Sequence, residues 1–198
     1  MNLVARVQGI LLKPKEEWVK IKAEKTSVTQ LFMGYAVLLA AIPAVAHFIG
    51  DGLIGRRIPL LGWFRLPMGT ALLYAILMFV LTLASTFALG FIIDALAPSF
   101  GSKKNLENAL KLAVYSMTPS WVAGIFYILP VLGIIAVIAS LYGLYILYLG
   151  FNTPMMDTPK DKVVGYMVVS IIVAVVLYFV VGLIVGAIVF GGGAYRVL

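Results

Sequence analysis

Apolar side chains fill this chain in four long runs separated by short polar stretches. Asp, Glu, Lys and Arg are absent from Thr26 to Gly50, Leu66 to Ile93, Leu112 to Met156 and Val163 to Tyr195, runs of 25, 28, 45 and 33 residues. A hydrocarbon core of ~30 Å takes ~20 helical residues, so the first, second and last runs each predict one crossing. As a single helix the third would extend ~67 Å at ~1.5 Å per residue, far beyond one bilayer, so it must fold back. Leu129-Pro130-Val131-Leu132-Gly133 supplies the turn, because proline offers no amide and biases the preceding residue away from helix. The pattern predicts an all-α integral membrane protein: a five-transmembrane-helix bundle with spans about 28–49, 67–94, 111–129, 131–150 and 164–190. Apolarity is uniform around each span, without strand-like alternation, which argues against a barrel.

Ahead of the spans, Leu3, Val4, Val7, Ile10 and Leu11 fall on one helical face. Pro14 suits the first turn of a second short helix running to Lys25, with Glu16 and Glu17 near its positive end. Two readings stand for this pair: interfacial helices lying on the membrane, or a helical cap packed over the bundle. The predicted organisation is a basic, amphipathic segment, 1–27, followed by a transmembrane domain, 28–198. The first apolar run exceeds a signal-peptide core and follows 25 residues, so cleavage is not expected.

Composition agrees with lipid as solvent. Of 198 residues, 63% are hydrophobic and 12% charged, against ~45–50% and ~25% in soluble domains. Cysteine is absent, which excludes disulfides and thiolate chemistry. The net charge of +7 is unevenly placed. Arg6, Lys13, Lys15, Lys20, Lys22 and Lys25 precede the first span; Lys103, Lys104 and Lys111 follow the second; Lys160 and Lys162 follow the fourth. These eleven would share one side, against four (Arg56, Arg57, Arg65, Arg196) on the other, which predicts a cytoplasmic N-terminus and an outside C-terminus. Trp18, Trp63, Phe64, Tyr148 and Tyr166 flank the spans as headgroup-level aromatics. Arg6, Lys13, Lys15, Trp18, Lys20, Lys22, Lys25, Lys103 and Lys104 are the expected lipid- or partner-facing residues. Basic residues at membrane boundaries point to anionic headgroups and away from nucleic acid.

Candidate chemistry is sparse. His47 and Asp51 form an i,i+4 pair at the end of the first span, able to share a proton, contribute to a metal site or hydrogen-bond near the headgroups; two ligands fall short of a structural metal site. Pro43 and Pro119 lie within spans and deprive the Leu39 and Tyr115 carbonyls of their helical donors. Such kinks can open a cavity or improve packing, with Ser116 or Thr118 satisfying the loose backbone. Tyr115, Ser116, Trp121 and Pro130 complete this candidate set. Small residues four apart, including Gly182 and Gly186, allow close helix approach, within the bundle or between copies. No phosphate-binding loop, H-E-x-x-H or G-x-S-x-G occurs, and no cofactor is expected. A lipid enzyme would have to draw on Asp94, Glu107 or the His47–Asp51 pair.

The ordered motifs carry a resemblance. Pro14-x-x-x-Trp18, Ala41-Ile-Pro-Ala44, Tyr115-Ser-Met-Thr-Pro-Ser-Trp121, Ile128-Leu-Pro-Val-Leu-Gly133, the Tyr142/Tyr145/Tyr148 helix and a Gly-rich last helix together resemble the Yip (Ypt/Rab-interacting protein) domain family, in its compact prokaryotic branch. The resemblance spans nearly the whole chain and implies five membrane helices with a cytoplasmic N-terminus. Its eukaryotic relatives are implied to be trafficking adaptors that bind small GTPases and one another. This chain lacks their long acidic leader and their Asp-Leu-Tyr-Gly-Pro motif, which points to a bacterial cytoplasmic (inner) membrane protein.

The functional expectation is a non-enzymatic membrane scaffold or adaptor. A basic cytoplasmic face would meet anionic lipid or a protein partner, with self-association through Gly182 and Gly186 or contact with another membrane protein. The alternative is a channel or carrier for a small ion, metal or lipid, through a cavity at the kinked helices.

Overall fold

The computed structural model describes residues 2–58, 62–153 and 155–190. Arg196, and the side chains of Arg56, Arg57 and Pro130, which entered the charge and turn arguments, lie outside the described residues.

Two short helices come first, α1 (Leu3–Leu12) and α2 (Pro14–Ala23). Asn2 caps α1 by accepting from the Ala5 amide, and Pro14 opens α2. Helix α3 (Val28–Ile54) starts in a capping box, in which Ser27 and Gln30 each accept from the other's amide. Its i→i+5 turns at Phe32–Ala36 and Phe48–Ile54 flank the stretch holding Pro43. A two-stranded antiparallel hairpin follows, β1 (Arg56–Ile58) and β2 (Gly62–Phe64), pairing Arg56 with Phe64. The hydropathy pattern did not anticipate it.

Helix α4 (Met68–Phe100) outruns its expected span by six residues at the far end. Next come α5 (Leu106–Ser116) and α6 (Thr118–Ala123), then single-turn 3-10 segments at Gly124–Ile128 and Pro130–Leu132. The chain closes with α7 (Gly133–Asn152) and α8 (Val163–Val189).

Among the described residues, four helices, α3, α4, α7 and α8, are long and apolar enough to cross a membrane. The predicted third span, 111–129, is not one continuous helix. Pro119 lacks an amide, the helix breaks at Met117, and the freed Tyr115 carbonyl accepts instead from the Thr118 hydroxyl at 2.7 Å. The path nevertheless follows α3 from end to end. Glu107 accepts from the Thr26 amide, Thr118 hydrogen-bonds Tyr35, Gly124 abuts Pro43 and Tyr127 stacks on His47. Leu129, ahead of Pro130, is extended (φ −109°, ψ 100°), and α7 then runs back. Its Gly143 faces the Ser116 carbonyl and its Gly150 faces Leu112 and Trp18.

Candidate functional site

One end of the bundle gathers residues 2–26, 101–111 and 155–162. Lys22 pairs with Asp157 at 3.4 Å, and the Lys103 amide reaches the Met156 carbonyl at 3.2 Å. Here α1 and α2 form a hairpin seated on α5, α6 and α7. Ile10, Trp18 and Ile21 are buried beneath it. Trp18 donates its indole N–H to the Ile146 carbonyl (2.9 Å), and Tyr142 donates to the Leu11 carbonyl (2.9 Å). Trp18 and Tyr35 both meet Tyr115 edge-on, at 6.2 and 4.9 Å. Gly150 is required at this seat: a methyl there would lie 2.8 Å from the Trp18 ring and collide with Leu112.

The hairpin therefore packs as a cap, and two expected outward-facing residues turn inward. Trp18 is core. Arg6 is 5% exposed: it pairs with Glu17 at 2.5 Å and with Glu24, and its guanidinium carbon lies 5.7 Å over the Tyr115 ring. The Arg6 position on α1 faces α2, so its charge is spent on intramolecular carboxylates. Tyr166, expected at headgroup level, is fully buried and donates to the Ile93 carbonyl. Lys111, counted as a loop charge, is 1% exposed. Its ammonium is shared by the Ile21 carbonyl (3.2 Å), the Glu24 carbonyl and the Glu107 carboxylate (2.7 Å).

These contacts shift protonation. Burial alone would lower the Arg6 guanidinium, but the Glu24 hydrogen bond, with Tyr115 and Glu17, outweighs it and holds Arg6 above its ordinary value. Burial likewise opposes ionisation of Glu107. Hydrogen bonds from Lys111 and the Thr26 amide prevail, and Glu107 sits below the usual carboxylate value. Among the described residues, Arg6 Nε, Asp94 Oδ1 and Ser116 Oγ are buried without a hydrogen-bond partner.

The remaining expected residues divide clearly. Lys13, Lys15, Lys20, Lys22, Lys25, Lys103 and Lys104 are exposed at this same end. His47 and Asp51 pair at the opposite end, Nδ1 to Oδ2 at 3.0 Å, with His47 stacked on Tyr127 (4.2 Å) and edge-on to Tyr74 (5.3 Å). No third His, Cys, Asp or Glu joins them among the described residues. At the kinks Pro119, Tyr115, Ser116 and Trp121 are buried, and a methyl on Gly124 would sit 2.6 Å from Pro43 Cβ; the proline surfaces are used for contact at these positions. Gly182 and Gly186 have no described atom within 4 Å of where a Cβ would stand, so no close helix contact at either glycine is seen among the described residues.

Sequence reasoning missed the roles of Glu17, Glu24, Lys111 and Tyr35, whereas Thr118, one of the two side chains expected to satisfy the loose backbone, does so at the Tyr115 carbonyl. Lys111 bonds residues 90 and 87 positions away, and no local pattern announces such a partner.

The family model for the Yip1 domain matches residues 9–195, from the last turn of α1 through α2 and every long helix. The chain belongs to the Yip1 domain family. Within the curated proteins it is similar to the inner membrane protein YohC of Escherichia coli strain K12, and to its counterpart in strain O6:H1. Identity is 27% over 134 residues in each case, covering 65% of this chain and 66% of the relative. The match thus spans just under two thirds of those relatives. No solved structure matches the chain. The Yip1 domain assignment fits an all-α membrane protein and indicates no enzymatic family.

Proposed function

We propose that this chain is a non-enzymatic, five-pass inner-membrane scaffold or adaptor. Its basic end faces the cytoplasm and engages anionic lipid headgroups or an acidic protein partner. The observation that carries this reading is the division of cations at the α1–α2 hairpin. Arg6 and Lys111 are buried in locking the hairpin down, while Lys13, Lys15, Lys20, Lys22 and Lys25 stay exposed beside Lys103 and Lys104, with Lys20 and Lys22 also paired to Glu17 and Asp157. Lysines collected on one surface attract an anionic leaflet by about 1 kcal/mol each near the surface.

Five crossings are supported by the course of 106–128 beside α3 over its whole length, although its break keeps it from being a continuous span. The grouping of the N-terminal, second and fourth polar segments at one end agrees with the eleven-to-four charge bias. The names of the E. coli relatives support an inner-membrane location. Close packing of Pro43 on Gly124 favours a scaffold over a carrier whose pathway would open at that kink. The open faces of Gly182 and Gly186 suit association with a second copy or another membrane protein.

The test places the full-length protein in nanodiscs of phosphatidylcholine with graded phosphatidylglycerol. Enrichment of labelled phosphatidylglycerol around the protein should fall with added salt and in a Lys13→Gln, Lys15→Gln, Lys25→Gln, Lys104→Gln variant. Salt-independent or absent enrichment would count against the basic face. Ion flux above that of empty vesicles would move the assignment to a carrier.

A further inference from the structure

The α1–α2 hairpin caps the bundle from the side, along α7, rather than from above. Near the open end of the hairpin Lys22 meets Asp157, beyond Asn152, the last residue of α7. Lower down, Trp18 reaches the Ile146 carbonyl, and Leu11, beside the bend, accepts from Tyr142. Tyr142 lies ten residues before Asn152. At ~1.5 Å per residue the bend therefore sits roughly 15 Å below that end of α7, about half the depth of a ~30 Å hydrocarbon core. The bend is nonetheless polar and open. Leu12 is 77% exposed, the side chains of Lys13 and Glu16 are 70% and 68% exposed, and Lys15 is exposed beside them.

The flank built from α4 and α8 has the opposite character. Tyr166 of α8 packs on Phe151 and donates to the Ile93 carbonyl, so these three share a level near the end of α7. Around that level Phe91 and Val164 are 55% and 57% exposed, and Val168 and Ile172 continue the apolar surface along α8. Polar surface thus descends to Tyr142 on one flank while apolar surface climbs to Phe151 on the other. The nine residues of α7 between those levels make a step of ~13 Å. A flat leaflet cannot follow it. Placed at the height of Phe151, it would immerse Glu16 in acyl chains, an expensive position for a carboxylate. Placed at Tyr142, it would leave Phe91, Val164 and Val168 in water. Snorkelling stems recover part of the difference for Lys13 and Lys15 and none of it for Glu16. Tyr145 and Tyr148, exposed on α7, sit between the two levels, and such tyrosines collect at headgroup depth.

We propose that the hairpin is a wedge in the leaflet it meets. Headgroups dip to the bend, the acyl layer beneath it thins, and this flank selects shorter-chained lipid. The inference rests on the reading that this end of the bundle meets lipid headgroups, and it adds a preference set by chain length to a surface otherwise selective by charge.

The chain has no cysteine, so single thiols can be placed in the full-length protein and spin-labelled in bilayers of dioleoyl phosphatidylglycerol. Labels at Leu12→Cys and Val164→Cys should be several-fold more accessible to oxygen than to a nickel chelate, and a label at Lys104→Cys should show the reverse. Vesicles holding equal dimyristoleoyl and dioleoyl phosphatidylglycerol, extracted with styrene–maleic acid, should leave the shorter lipid about twofold enriched beside the native protein. A Leu12→Cys label as open to the chelate as the Lys104→Cys label overturns the proposal, because the bend then stands in water. A Val164→Cys label open to the chelate also overturns it, since the step disappears. Burial of both labels without any chain-length preference overturns it too, a tilted bundle then absorbing the mismatch. An impermeant maleimide that reaches Lys104→Cys from outside intact cells would reverse the cytoplasmic orientation; the shielded Leu12→Cys label and the shorter-lipid enrichment would still support the wedge, in the other leaflet.

Discussion

The two ends of this molecule solve opposite packing problems. Where α1 and α2 meet α5 and α7, Trp18, Tyr35, Tyr115 and Lys111 are closed off almost completely, and hydrogen bonds from Lys111 and Trp18 link segments far apart in the chain. Toward the other end of α8, Gly182 and Gly186 have no described neighbour within 4 Å of a Cβ position, and Val175, Val176, Tyr178, Phe179 and Leu183 are exposed. Lipid gives no hydrophobic reason to gather such residues. Tight, unique structure is therefore expected where polar groups must find one another, and loose, adaptable contact where they need not.

The sharpest way to break this contrast is Arg6→Ala. It leaves Glu17, 8% exposed, with Lys20 as its remaining described cation, and removal of one partner from a buried ion pair costs about 3–5 kcal/mol. Thermal unfolding in detergent should show that loss, with faster proteolysis in residues 1–25. A smaller effect is expected at the seat. Gly150→Ala forces a methyl against Trp18 and Leu112 and should cost about 1–3 kcal/mol, whereas Trp18→Phe should cost about 1 kcal/mol through the lost bond to Ile146.

Acid should act on the same end more weakly. Glu107 is depressed below its ordinary value of 4.5 in the folded protein. Its contribution is therefore complete above the unfolded value and is lost as pH falls through the folded one. Because the side chain is 40% exposed, the effect is small. Comparing native and Glu107→Gln melting between pH 6 and pH 3 should show a shallower acid decline in the variant. Smallest of all, Gly182→Leu should change monomer stability by under about 0.5 kcal/mol, and should lower any dimer population seen by crosslinking in bilayers. A large loss of monomer stability would show that α8 is packed there after all.

The apolar runs foretold α3, α4, α7 and α8 to within a few residues, because hydrocarbon thickness sets helix length more firmly than any local propensity. The Pro130 turn was legible for the same local reason: Leu129 is extended because of its neighbour. The break at Met117 was half legible. Pro119 announced a kink, but the bilayer argument alone treated 111–129 as unbroken. The inward turn of Arg6 and Trp18 was not legible. An exposed and a buried face of a ten-residue amphipathic helix carry the same periodicity, and only the Glu17, Glu24 and Ile146 partners decide between them.

The dependence of Trp18 on the Ile146 carbonyl also has a consequence for biogenesis. The ribosome finishes α1 and α2 before it has made any of α5 or α7. At ~5–20 residues per second the roughly 120 intervening residues take on the order of 6–25 s. During that wait an indole and an arginine–glutamate pair are without their eventual berth, a period in which the insertion machinery or a chaperone can hold the nascent segment, and after which docking reports that α7 has arrived.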